Sequence, residues 1–197
     1  MKAMILAAGR GERMRPLTDT CPKPLLKIAN RALIEYHLIA LQKADITEVV
    51  INHAWLGSKI EKFLGNGQQY GLTISYSPEQ QALETAGGII QALPLLTSAD
   101  NLHEQFLVVN GDIFTSYDFA PLLKKQLKQE LTSKAHLIMV TNPEHHPEGD
   151  FFLSKGRISE QTTDKIKNDK CTFSGIGIYQ ASFFAGLKAG KRALAPL

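Results

Sequence analysis

Two glycines and a run of cations, set close together near the start of the chain, carry its clearest chemistry. Gly9 and Gly11 stand directly after the apolar run Ala3-Met4-Ile5-Leu6, and Arg10, Arg13, Arg15 and Lys23 lie among and after them. Glycines at a strand end free backbone N–H groups to face an anion, and arginine and lysine supply fixed positive charge for phosphate oxygens. Ala7, Ala8 and Gly9 carry almost no side chain, so a flat base or ribose can approach the backbone closely. A carboxylate, Asp112, closes the turn Asn110-Gly111-Asp112 after a second apolar run. Ligands of open α/β sheets collect at that end of a strand, although a lone aspartate there also reads as a turn or helix cap.

Two common phosphate-binding patterns do not fit. A P-loop needs Lys-Ser/Thr directly after its second glycine, and neither Gly9 nor Gly11 has that partner. The dinucleotide fingerprint needs a third small residue, where this chain has Met14, with Pro16 soon after in place of a running helix. The full pattern, L-A-A-G-x-G-x-R-M-x-P-L-T over 6–18 and P-K-P-L over 22–25, resembles the signature of the sugar-1-phosphate nucleotidyltransferases. The resemblance implies a Rossmann-like three-layer α/β/α fold with a mixed, mostly parallel sheet. It also implies a nucleotide pocket on Ala7, Ala8, Gly9, Gly11 and Glu12, with Arg13 and Lys23 on the triphosphate and the developing charge. Asp112 would bind the catalytic Mg²⁺, a hard ion content with few carboxylates plus phosphate oxygens and water. Arg10 and Arg15 read equally as solvated loop cations or phosphate ligands.

Further runs extend the likeness. Glu84-Thr85-Ala86-Gly87-Gly88 opens a helix, and its small residues suit simple packing; the resemblance turns the backbone of Thr85, Ala86 and Gly87 toward the base, with Glu79 and Gln80 near its edge. The stretch N-P-E-H-H-P-E-G-D-F over 142–151 resembles that of one subgroup, the N-acetylmuramate-1-phosphate uridylyltransferases, as do L-E-T-A-G-G over 83–88 and F-S-G-I-G-I-Y over 173–179. That likeness places Gly149 and Asp150 near the sugar, with Asn110, Glu160, Ser174 and Gly175 as further contacts. His145 and His146 are adjacent on a loop with no third histidine or cysteine nearby, so no transition-metal site is expected. The implied partners are UTP and a sugar-1-phosphate. The alternatives are a relative acting on glucose- or mannose-1-phosphate, or a non-catalytic nucleotide-sugar-binding module.

Composition bounds these readings. At 197 residues and net charge +3 the chain suits one domain over 1–197, with no Lys/Arg block for a nucleic acid. No apolar run approaches a membrane span. Cys21 and Cys171 read as free thiols of a cytoplasmic protein, and a monomer is expected. Trp55 reads as an aromatic packing the top of the next helix, and His53 takes no catalytic role.

The positioning elements alternate. Strand patterns fall at 2–6, 48–52, 72–76, 105–109 and 135–140, and shorter ones at 151–153, 156–158 and 172–179. Helical spacing covers 32–44, 56–64 with Ile60, Phe63 and Leu64 on one face, 86–93 stopping before Pro94, and 119–131. The polar stretch 160–170 reads as a surface loop. The family normally continues into another helix and a strand bearing a D-x-G-T aspartate as second metal ligand; this sequence has no D-x-G-T, so that element is expected to be missing.

Overall fold

The first strand, β1 (Lys2–Leu6), sits at the centre of the sheet because its residues are apolar on both sides. Ala3 and Ile5 face one hydrophobic core and Met4 the other, so β1 is covered on both faces as a parallel strand requires. The computed structural model describes residues 1–98, 101–128, 133–160 and 170–195. After β1 come a glycine loop, the short helix α1 (Leu17–Thr20), and the small hairpin β2 (Lys27–Ile28) and β3 (Arg31–Ala32). Then follow α2 (Leu33–Lys43), β4 (Glu48–His53), α3 (Gly57–Leu64), β5 (Thr73–Pro78), α4 (Glu84–Leu96), β6 (Gln105–Asn110) and α5 (Phe119–Lys128). The strands β7 (Ala135–Val140), β8 (Phe151–Ser154), β9 (Arg157–Ser159) and β10 (Lys170–Gln180) complete the described elements.

Among the described residues the main sheet runs β5-β4-β1-β6-β10-β8-β9, with β7 also paired to β10. β5, β4, β1 and β6 are parallel, and β10 returns antiparallel to β6. The chain therefore steps outward from β1 to β4 and β5, then crosses to β6 on the other side. That reversal opens a crevice at the carboxyl ends of β1 and β6. Helices α2, α3 and α5 cover one face through Leu38, Ile60 and Phe119, and α4 covers the other through Ile89 and Leu96, giving three layers. The expected fold class and the alternation of strands and helices are both seen.

Three local expectations change. The α4 helix runs through Pro94 to Leu96 rather than stopping before it. An interior proline costs about 3 kcal/mol, but Leu96 is fully buried, and Lys2 Nζ caps the Leu95 carbonyl at 2.9 Å. Phe63 is exposed, because the buried stripe of α3 is Gly57, Ile60 and Leu64. The expected extension of the last helix to 131 and most of the 160–170 loop fall outside the described residues.

Candidate active site

A cleft of about 620 Å³ opens at the crevice between β1 and β6. Its floor is Leu6, Ala7, Ala8 and Gly9, the continuation of β1. The loop turns at Gly11, whose φ of +72° is the left-handed region that glycine enters without penalty. A Cβ there would also press on Thr18 Cγ2 at 2.9 Å, so the turn closes tightly against α1. Glu12 and Arg13 then project along one wall. Arg13 has no ion-pair or hydrogen-bond partner among the described residues, which leaves its guanidinium free for a ligand.

Lys23 and Asp112 meet across this cleft, 89 positions apart in sequence, with Nζ 2.8 Å from Oδ2. Lys23 is placed by the short turn Lys23–Leu25, which Pro22 precedes in extended conformation. Asp112 is placed by Gly111, whose N–H bonds the Leu6 carbonyl at 2.8 Å. A Cβ on Gly111 would strike that carbonyl, so the ends of β1 and β6 approach this closely only with glycine. Beneath Asp112, the fully buried ring of His37 donates Nε2–H to the Ile113 carbonyl at 3.0 Å. Burial holds His37 below the usual imidazole range, and the bond to Ile113 only partly offsets this.

Asn52 and Glu79 were given no such place by the sequence. Buried at the end of β4, Asn52 accepts the Ala7 N–H at Oδ1 (2.9 Å) and donates Nδ2–H to Glu79 at 2.6 Å. The other Glu79 oxygen takes the Leu83 N–H at 2.8 Å. This relay ties the start of the glycine loop to the start of α4. Glu79, expected near the base edge, is buried with both oxygens engaged and is not among the residues lining the cleft.

At the opposite wall Thr85 lines the cleft, together with Ala82, Glu84 and Lys191. Ala86 and Gly87 do not; they are buried behind it. Gly87 is small because a strap from the end of the chain crosses there, with Gly87 N–H bonding the Arg192 carbonyl and Arg192 N–H the Leu83 carbonyl. Lys191, on that strap, reaches Glu84 at 3.5 Å, a cation in the cleft that sequence reasoning passed over.

The expected sugar contacts divide. Asn110 lines the cleft. Gly175 (φ +84°) sits against it, since a Cβ would lie 2.9 Å from Asn110 Nδ2. Gly149, Asp150, Glu160 and Ser174 are not among the lining residues. Asp150 instead accepts the Phe173 N–H at 2.7 Å and faces His146 at 3.0 Å. Asn142 bonds the Pro147 and Lys170 carbonyls, and Gly149 packs on Asn142. Asn142, His146 and Asp150 of that stretch thus hold its loop against β10. Ser174 Oγ accepts the Ile176 N–H, and Glu160 is exposed after β9.

No group of three or more His, Cys, Asp or Glu gathers among the described residues. Asp112, half exposed and opening on the cleft beside the unpartnered Arg13, fits an ion that takes one carboxylate plus phosphate oxygens and water.

Arg13, Lys23 and Asp112 line one cleft with the small residues Ala7, Ala8 and Gly9. The model of the family described as nucleotidyl transferase matches residues 2–151. The chain belongs to the nucleotidyl transferase family. An N-acetylmuramate alpha-1-phosphate uridylyltransferase of Neisseria meningitidis serogroup B is 53% identical over 199 residues, covering 100% of this chain and 83% of that protein. A mannose-1-phosphate guanylyltransferase catalytic subunit beta of Danio rerio is 38% identical over 125 residues, 63% of this chain and 34% of that one. A solved Bacillus anthracis protein assigned as a glucose-1-phosphate thymidylyltransferase superposes with a TM-score of 0.81 at 24% identity, covering 95% of this chain and 76% of that one. HddC of Yersinia pseudotuberculosis, complexed with GMP-PN, does so with a TM-score of 0.76 at 17% identity, over 98% and 82%. The last two likenesses establish the nucleotidyltransferase fold. No helix among the described residues is long and apolar enough to cross a membrane.

Proposed function

We propose that this nucleotidyltransferase moves a uridylyl group from UTP to N-acetylmuramate-1-phosphate, giving UDP-N-acetylmuramate and pyrophosphate. The observation that carries the choice of substrates is the 53% identity across the whole chain to the Neisseria uridylyltransferase. The meeting of Arg13, Lys23 and Asp112 around one cleft supports the reaction type.

The acceptor phosphate is ionised at neutral pH and is its own nucleophile. Its oxygen bonds to the α-phosphorus of UTP, the α–β bridging P–O bond breaks, and pyrophosphate leaves with the electron pair. No general base is required, so the protein contributes position and charge. Arg13, unpartnered on the wall, steadies the leaving pyrophosphate. Lys23 bridges phosphate oxygens of donor and acceptor. Asp112 would hold Mg²⁺, which when bound offsets charge on the triphosphate. The small residues Ala7, Ala8 and Gly9 let base and ribose lie on the cleft floor.

Pyrophosphate release across UTP, dTTP and GTP, each with N-acetylmuramate-, glucose- and mannose-1-phosphate, tests this reading. Turnover is expected with UTP and the muramate. Turnover with glucose-1-phosphate but not the muramate would overturn the acceptor, and nucleotide binding without pyrophosphate release under any pairing would overturn catalysis.

A further inference from the structure

Arg10 lies inside the glycine loop, yet Gly9, Gly11, Glu12 and Arg13 line the cleft and Arg10 does not. Its guanidinium turns away and stacks on Trp55, with Cζ 3.8 Å from the ring centroid. Its Nη1 donates to the Thr18 carbonyl at 2.9 Å and its Nη2 to Asp19 at 3.0 Å. Trp55 Nε1–H donates to the same Thr18 carbonyl at 3.0 Å. The Thr18 hydroxyl, fully buried, donates back to the Gly11 carbonyl at 2.9 Å. Lys59, on α3, reaches the neighbouring Thr20 carbonyl. The glycine loop and the neighbouring α1 are thus fastened at one point to the distant β4–α3 connection. The backbone of the loop over 9–15 has only local bonds of its own, from Met14 N–H to Gly11 and from Arg15 N–H to Glu12. Its shape depends on side chains.

We infer that Arg10 and Trp55 form a clamp holding the glycine loop in its nucleotide-ready shape, and are positioning residues for the triphosphate although neither lines the cleft. The inference rests on the nucleotidyltransfer reading of that cleft. The clamp fixes the Gly11 turn and hence the direction of Arg13. Without it the loop samples other shapes, and apparent nucleotide affinity falls by the fraction of time it is ready.

The test measures Mg-UTP binding at equilibrium and the KM values for UTP and acceptor. Trp55→Leu and Arg10→Met are expected to weaken UTP binding about tenfold, as for a loop ready a tenth of the time. The acceptor KM should stay within about twofold. Trp55→Phe, which keeps a ring face beneath the guanidinium, should recover most of the affinity. Trp55 is the one tryptophan of the sequence, so acrylamide quenching of wild-type and Arg10→Met protein reads the stack directly and should rise in the variant. UTP binding within twofold of wild type in both Trp55→Leu and Arg10→Met overturns the clamp, as does an equal loss toward UTP and acceptor. Wild-type protein that binds no UTP overturns the functional reading, and the clamp with it.

Discussion

Replacing Lys23 by methionine removes one charge and keeps most of the apolar stem, so it separates what Lys23 does for folding from what it does for reaction. In the folded protein the ammonium meets Asp112 at 2.8 Å, with the side chains 25% and 54% exposed. An ion pair so open to water contributes about 0–1 kcal/mol. For a protein of this size 1 kcal/mol moves the midpoint about 2–4 °C, so Lys23→Met should melt within about 4 °C of wild type. The reaction should respond differently. Losing a preorganised donor to a developing phosphate charge costs about 3 kcal/mol, or about 150-fold in kcat/KM at about 1.4 kcal/mol per decade. Continuous pyrophosphate release and differential scanning calorimetry on the same preparation read both quantities. A loss below about tenfold with an unchanged midpoint would refute the placement of Lys23 on the phosphates. A midpoint lowered by more than about 10 °C would show that Lys23 is chiefly structural.

Other perturbations follow from the same geometry. Asn52→Ala strands the buried Ala7 N–H and one Glu79 oxygen, and at about 1–3 kcal/mol for each unsatisfied group urea unfolding should show about 2–6 kcal/mol lost; a change under about 1 kcal/mol would contradict the relay. Gly175→Ala combines a left-handed backbone with a Cβ at 2.9 Å from Asn110, so about 1–2 kcal/mol of stability should go, together with a larger fall in kcat/KM; unchanged activity would show that Asn110 has no work in the cleft. Chelation of divalent cations should stop pyrophosphate release and added Mg²⁺ restore it, whereas an undiminished rate in metal-free buffer would remove the role given to Asp112.

The sequence made the frame of the cleft legible because that frame is local. A strand apolar on both faces, a glycine turn and cations within a few positions can be read without knowing what packs above them. Asp112 could be placed too, since a Gly-Asp turn after a buried strand falls at the same sheet edge as Gly9. What lay hidden depends on partners far along the chain. Glu79 reads as an available carboxylate until Asn52 is seen to occupy it. Gly87 reads as a small residue for packing, but spacing does not say that the Arg192 strap is what packs on it. Arg10 and Trp55, 45 positions apart, could not be paired from spacing. The stretch over 142–151 is specific as a string, but its Asn142, His146 and Asp150 fold their own loop, and a string does not distinguish residues that touch a sugar from residues that hold the loop in place. Pro94 misled for a simpler reason: propensity ends a helix there, and the burial of Leu96 overrides it.

The most direct test of the central claim is a crystal structure grown with UTP and Mg²⁺. The account predicts the triphosphate in the cleft between β1 and β6, with phosphate oxygens within hydrogen-bonding distance of Arg13 and Lys23 and the ion on Asp112. A triphosphate bound elsewhere, or in this cleft with those three side chains directed away from it, would contradict the account.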